Sequence, residues 1–82
     1  MKIAPLHSYL SQYLKRHGLG KKFEKQKSLF ENNPFHSGLG VELLEPKNMR
    51  TWSFRVDRKY RAIFIFREQN TVEIIDINNH YQ

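Results

Sequence analysis

Residues 51–66, TWSFRVDRKYRAIFIF, alternate apolar and polar side chains on either side of a polar centre. A period of two belongs to β-strands, and two such runs joined by a short polar segment fold as an antiparallel hairpin. The stretch constrains more than secondary structure. Arg55, Arg58, Lys59 and Arg61 stand among Trp52, Phe54, Tyr60, Phe64 and Phe66. A guanidinium in such a sheet needs either a solvent-facing side or a buried partner, because burying it alone is costly.

Strand parity separates these possibilities. Trp52, Phe54 and Val56 share one face, which leaves Ser53, Arg55 and Asp57 on the other. A two-residue turn at Arg58-Lys59 would set Arg61 opposite Val56, on the apolar side. A three-residue loop, Arg58-Lys59-Tyr60, puts Arg61 on the face of Arg55, although such loops favour a glycine that is absent here. The second arrangement leaves no unpaired cation in the core. It is the expected one, with both guanidiniums on the open face of the sheet.

The rest of the chain supplies what must cover the other face. Residues 2–4 read as a short strand stub, and Pro5 suits a helix start, where its missing N–H is not needed. Leu6, Tyr9, Leu10, Tyr13 and Leu14 then recur at helical spacing. Lys15, Arg16 and His17 lie near the negative end of that helix, and Gly18-Leu19-Gly20 stops it. A second, more polar helix is expected over residues 21–32, anchored by Phe23, Leu29 and Phe30 and closed by Pro34. Four strands follow, over residues 41–44, 51–57, 61–67 and 71–77, with short connections that make neighbours antiparallel. The expected fold class is α+β: a twisted antiparallel sheet with an N-terminal helical hairpin on one face. The other face is left to solvent or a ligand.

Length and composition narrow the function classes. At 82 residues the chain is expected to form a single domain spanning 1–82, near the lower limit for a core without staples. It has no cysteine, so it has neither disulfides nor a thiolate metal site, which fits a reducing cytosol. No apolar run approaches the roughly 20 residues of a membrane span, and the N-terminus lacks a signal-peptide core. The formal charge is +6, and seven of the 14 Lys/Arg residues fall between positions 47 and 67, five of them Arg. Scattered lysine means solubility; arginine concentrated in strands beside aromatics points to phosphate recognition and to nucleic acid as partner.

Three further residues qualify for the open face: Glu42 on the first long-sheet strand, and His80 and Tyr81 just past the last. Each has an ordinary alternative, as a solvated strand charge, an exposed terminal histidine and a cover for the sheet edge; His7, His17 and His36 read as merely exposed. The combination carries the argument: one carboxylate, one imidazole and two guanidiniums from successive strands.

Taken in order after two helices, NPFHSGLGVELL, WSFRVDRKYRAIFIF and the ending IIDINNHYQ resemble the RelE/ParE toxin superfamily of bacterial toxin–antitoxin systems, in particular its YoeB/Txe-type messenger-RNA interferases. The likeness covers about residues 30–81, and the helices only in pattern; Arg55 and Arg61 at their spacing and the closing His80-Tyr81 are its most specific parts. The resemblance implies a toxin that is an endoribonuclease cleaving mRNA on the ribosome. It assigns Glu42 as general base, Arg55 and Arg61 as the phosphate-stabilising pair, His80 as general acid and Tyr81 as the residue that stacks on or orients the RNA. It implies a bacterial cytoplasmic protein without cofactor or metal, monomeric or dimeric when free and hetero-oligomeric with a cognate antitoxin. This chain departs from the pattern in places. Glu42 aligns through a one-residue gap, Ser53-Phe54-Arg55 stands where the branch often has Ser-Arg-Arg, and Val41 and Leu43 are apolar where many members carry a basic residue.

The chemistry makes independent sense of these residue types. RNA carries its own nucleophile, the 2′-hydroxyl, so cleavage needs a base to take its proton and an acid to protonate the leaving 5′-oxygen, each contributing about 10²–10⁴ in rate. Guanidiniums meet the charge that builds on the phosphoryl oxygens. Lys47, Arg50, Arg58 and Lys59 are expected to hold backbone phosphates around the cleft. Two other readings remain: a ParE-like DNA gyrase inhibitor, which needs no acid–base pair, and a non-catalytic basic RNA-binding module, which would keep the arginines but not need Glu42 or His80.

Overall fold

A computed structural model describes residues 1–80; Tyr81 lies outside them. The element order is β1 (Lys2–Ile3), α1 (Ser8–Arg16), α2 (Gly20–Asn32), β2 (Glu42–Leu43), β3 (Trp52–Arg55), β4 (Arg61–Glu68) and β5 (Thr71–Asn78), with 3-10 turns at Ser37–Leu39 and Lys47–Met49. Both helices and every expected strand are present, with shorter β2 and β3. The five strands lie in the order β1-β5-β4-β3-β2. All neighbours are antiparallel except β1, which runs parallel to β5 through Lys2 opposite Thr71 and Ile3 opposite Val72. The strand stub and β5 each had a sequence signal, but their pairing, across some seventy positions, did not.

The helical hairpin covers one face. Leu10 and Leu14 of α1, Leu19 between the helices, and Phe23 and Phe30 of α2 are buried against Phe54, Phe64, Val72, Ile74 and Ile77 of the sheet. Phe30 sits at the centre of this layer, its ring 5.2 Å from both Phe54 and Phe64. Each such side chain contributes about 1.5–3 kcal/mol by leaving water, so this mixed aromatic and aliphatic layer is what holds helices to sheet. Along β5, Asp76 opposes Ile63 but Ile74 opposes Phe64, so the strand carries one extra residue. This bulge lets Ile74 and Ile77, three apart, both face the core.

The β3–β4 connection differs from the expected three-residue loop. Arg55 lies directly opposite Arg61, so the connection runs over residues 56–60. No residue in it has a positive φ. The Asp57 side chain does the work a glycine would do: its Oδ1 accepts the backbone N–H groups of Lys59 and Tyr60, each at 2.8 Å. An aspartate closing a turn on the backbone just after it is a familiar alternative to a left-handed residue. The parity argument survives the change, because residues opposite each other in an antiparallel pair share a face.

Candidate active site

The register aligns the charged residues into two rows on the face away from the helices. One row runs Glu42, Ser53, Ile63 and Asp76 across β2 to β5, and the next runs Arg55, Arg61 and Asn78. Arg55 and Arg61 therefore stand side by side on the open face, as expected. Their exposures differ. Arg55 is exposed, whereas Arg61 retains only 8% of its accessible surface.

Arg61 is buried because the chain leading into β2 lies over it. Its Nε donates to Ser53 Oγ at 2.8 Å, and its Nη2 donates to the Gly40 carbonyl. The same Nη2 is 3.3 Å from Glu42 Oε1, whose side chain remains 60% exposed. Desolvation pulls the Arg61 guanidinium below its usual pKa; Glu42 opposes that shift and neighbouring Arg55 adds to it. An arginine stays cationic under such a shift. Among the described residues no buried side-chain nitrogen or oxygen lacks a partner, so the cation is fixed and satisfied rather than stranded.

Two residues that the sequence did not single out build this arrangement. Gly40 has φ +53°, and a Cβ there would come within 3.2 Å of Arg55 Nη2. The left-handed backbone is what favours glycine here, since Arg55 could shift by a few tenths of an ångström. Gln26, buried on α2, donates through Nε2 to the Arg55 carbonyl at 2.7 Å and to the Gly38 carbonyl at 3.2 Å. One amide thus ties helix, strand and the Ser37–Leu39 turn together behind the guanidinium pair. Neither residue carries a signal in a sequence, since each acts on partners far along the chain.

His80 follows β5, and its backbone N–H donates to Asn78 Oδ1 at 3.0 Å. Asn78 Nδ2 donates in turn to Asp76 Oδ2 at 2.7 Å. Because Asn78 opposes Arg61, this chain of bonds sets His80 just beyond the end of the sheet where the guanidiniums lie. The imidazole is exposed. His36, read as merely exposed, has a structural role: its Nδ1 accepts from Gly38 N–H at 3.0 Å, which assigns the proton of the neutral ring to Nε2.

The outer cations divide into two groups. Arg58 and Lys59 line a groove of about 800 Å³ together with Arg55 and with Lys22 and Lys25 of α2. Among the described residues Asp57 is the one carboxylate lining it, and it lies 3.2 Å from Lys22 Nζ. Partial burial acts to raise the Asp57 pKa, but the N–H groups of Tyr60 and Lys59 and the Lys22 ammonium outweigh it and hold the carboxyl below its usual value. Lys22 and Lys25 are a third of a sequence away from the hairpin, and only the helix packing brings them to it. Lys47 and Arg50 lie elsewhere: Arg50 lines a recess with Met49, Trp52, Ile65 and Phe66, at the Trp52 end of β3 rather than the Arg55 end. Among the described residues no three His, Asp or Glu side chains converge as metal ligands, and no helix is long and apolar enough to cross a membrane.

No protein-family model matches the chain, and no curated protein sequence matches it. Solved structures do match. A YoeB/ParE toxin from Agrobacterium tumefaciens aligns over 99% of this chain and 100% of its own at a TM-score of 0.72 and 19% identity. The chain has the fold of the YoeB/ParE toxins. The YoeB dimer from Staphylococcus aureus aligns over 98% of this chain and 94% of its own, with a TM-score of 0.71 and 17% identity. A heterotetrameric YoeB–YefM toxin–antitoxin complex from the same organism aligns over the same shares at 0.66 and 19%. At these identities the likeness is one of fold. Two helices on one face of an antiparallel sheet are what the sequence resemblance to the YoeB branch implied; the parallel edge strand β1 is an addition to it. The YoeB-like sheet is also what sets Glu42, Arg55 and Arg61 within one patch.

Proposed function

We propose that the chain is the toxin of a type II toxin–antitoxin system, an endoribonuclease that cleaves messenger RNA on the ribosome. The observation that carries this reading is the Arg61 guanidinium, pinned by Ser53 and Gly40 beside an exposed Arg55 and facing the carboxylate of Glu42. Arg61 is paired and largely buried, as a structural cation would be, but it borders Glu42 and Arg55, which are both open to solvent. Preorganised donors of this kind stabilise charge that develops in a transition state without having to reorganise.

In this reading Glu42 removes the 2′-hydroxyl proton and the resulting oxygen attacks the adjacent phosphorus. Arg55 and Arg61 hold the phosphoryl oxygens as their charge grows, with Arg61 positioned and Arg55 free to close on the substrate. His80 protonates the departing 5′-oxygen. Tyr81 stacks on or orients the RNA, as the resemblance implies. The cationic groove of Lys25, Arg58 and Lys59 carries the flanking strand by phosphate contacts. An antitoxin that covers this face fits both the unbalanced positive charge and the fold likeness to a YoeB–YefM complex. A bacterial cytoplasmic location goes with that role.

Mapping RNA 5′ ends in cells after brief induction tests the reading. It expects cuts inside translated frames, lost in a His80→Ala variant that still binds RNA. A gyrase inhibitor would arrest growth without new RNA ends, and a passive RNA-binding module would be indifferent to His80→Ala.

A further inference from the structure

Phe35 is 88% exposed, more than Met49 at 63%, Tyr9 at 55% or Phe66 at 49%. A single exposed aromatic is ordinary on a protein surface, but the backbone that carries this one is hydrogen-bonded in place. Its backbone N–H donates to Asn33 Oδ1 at 3.0 Å, and the next N–H, of His36, donates to the Asn33 carbonyl at 3.0 Å. Pro34 fixes the φ angle just before it, and Leu39, fully buried, anchors the following turn. Its position is equally specific. Phe35 lines a shallow recess with Pro34, His36, Ser37, Gly40 and Val41. The Gly40 carbonyl also accepts a hydrogen bond from Arg61, and a Cβ on Gly40 would come within 3.2 Å of Arg55 Nη2. The recess and the guanidinium pair therefore share a wall.

We propose that Phe35 is the stacking platform for an unpaired nucleobase of the nucleotide next to the phosphate held by Arg55 and Arg61. The proposal rests on the endoribonuclease reading above. A ligand that reaches both features must be anionic at one end and offer a flat apolar face at the other, as a nucleotide does. Stacking needs one exposed ring face and no deep pocket, and that is what Phe35 presents. His36, with its neutral-ring proton assigned to Nε2, adds a donor at the rim for an acceptor on the base edge. An apolar peptide would need a broader greasy surface, whereas among the described residues the recess adds only Pro34 and a half-buried Val41 to Phe35.

The test crosses the protein variant with removal of the base. A dye-labelled RNA trinucleotide carrying a 2′-deoxy sugar at the cut, which removes the nucleophile, is compared by fluorescence anisotropy with strands made abasic at each position in turn. For the unmodified chain, one abasic position should weaken binding about 5- to 150-fold, the span of base–aromatic stacking. In Phe35→Ala that penalty should vanish, with the intact strand bound as weakly as the abasic one. Phe35→Trp should restore it, and Phe35→Leu, apolar but not flat, should not. Arg55→Ala keeps the two readings apart, because it should weaken intact and abasic strands alike. Binding that depends on Arg55 but shows the same base penalty with and without Phe35 overturns the stacking role alone, and is also what a platform for a protein partner would give. Binding indifferent to both substitutions overturns the site and the platform together.

Discussion

Arg61 Nε donates to Ser53 Oγ at 2.8 Å, one row over on the neighbouring strand, and Ser53 is fully buried. This bond turns a long flexible side chain into a fixed donor, and the Gly40 carbonyl locks its far end. A guanidinium held on both sides is a component of the fold as well as of the site.

The two arginines should therefore behave differently when removed. Arg61→Ala leaves Ser53 Oγ and the Gly40 carbonyl without their partner and should cost about 1–3 kcal/mol of stability along with activity. Arg55→Ala, at an exposed position, should stay within about 0.5 kcal/mol of the unmodified chain while also losing activity. Arg61→Lys keeps a charge but not the planar spread that reaches Ser53 and Gly40 at once, so it should remain inactive. Urea unfolding beside an RNA-cleavage assay checks all three. An Arg55→Ala variant with full activity would remove that residue from the site.

Asp57 should make the β3–β4 turn sensitive to acid. Its folded pKa lies below the ordinary 3.8, so its contribution is present above that value and fades as pH falls through the lower, folded one. Asp57→Ala should cost about 1–3 kcal/mol at neutral pH, with two backbone N–H groups losing a charged acceptor. Asp57→Asn keeps an oxygen for the turn and should lose only the ionic part. Thermal unfolding at neutral pH and in strong acid measures both. The gap between Asp57→Asn and the unmodified chain should narrow in acid, and a constant gap would count against the charge.

The groove predicts a salt dependence. Each phosphate contact to single-stranded RNA contributes about 0.7 to the slope of log affinity against log salt. Replacing Lys25 and Lys59 with alanine should flatten that slope by about 1.4 for an oligonucleotide long enough to fill the groove. Replacing Lys47 and Arg50, at the other end of β3, should leave the slope for a short oligonucleotide unchanged. Equal effects from both pairs would mean the RNA crosses the whole sheet.

Much of this arrangement is legible in the sequence. Alternation at residues 51–66, with the cost of burying an unpaired cation, favours Arg55 and Arg61 on one face over a two-residue turn that would part them. Lengthening the loop from three residues to five leaves that parity undisturbed. The burial of Arg61 was not legible. It arises from the Gly40 segment folding over the sheet, a contact between positions 21 residues apart with no periodic signature. The loop length was misjudged because the usual signal is glycine, and here the Asp57 side chain closes the turn instead. Lys22 and Lys25 were invisible as groove residues for a similar reason: a helix's exposed cations become part of a site only through tertiary packing.

The central claim is that the chain cuts RNA with its own 2′-hydroxyl as nucleophile, with Glu42 as base and His80 as acid. End-group analysis of the products tests it most directly, using a ribosome-free RNA, ample protein and excess EDTA. The account predicts a 2′,3′-cyclic phosphate on the upstream fragment and a 5′-hydroxyl on the downstream one. The rate should be bell-shaped in pH and should fall about 10²-fold or more in His80→Ala, which should also lose the alkaline limb. A 3′-hydroxyl paired with a 5′-phosphate would mean that water attacked instead, and would contradict the mechanism.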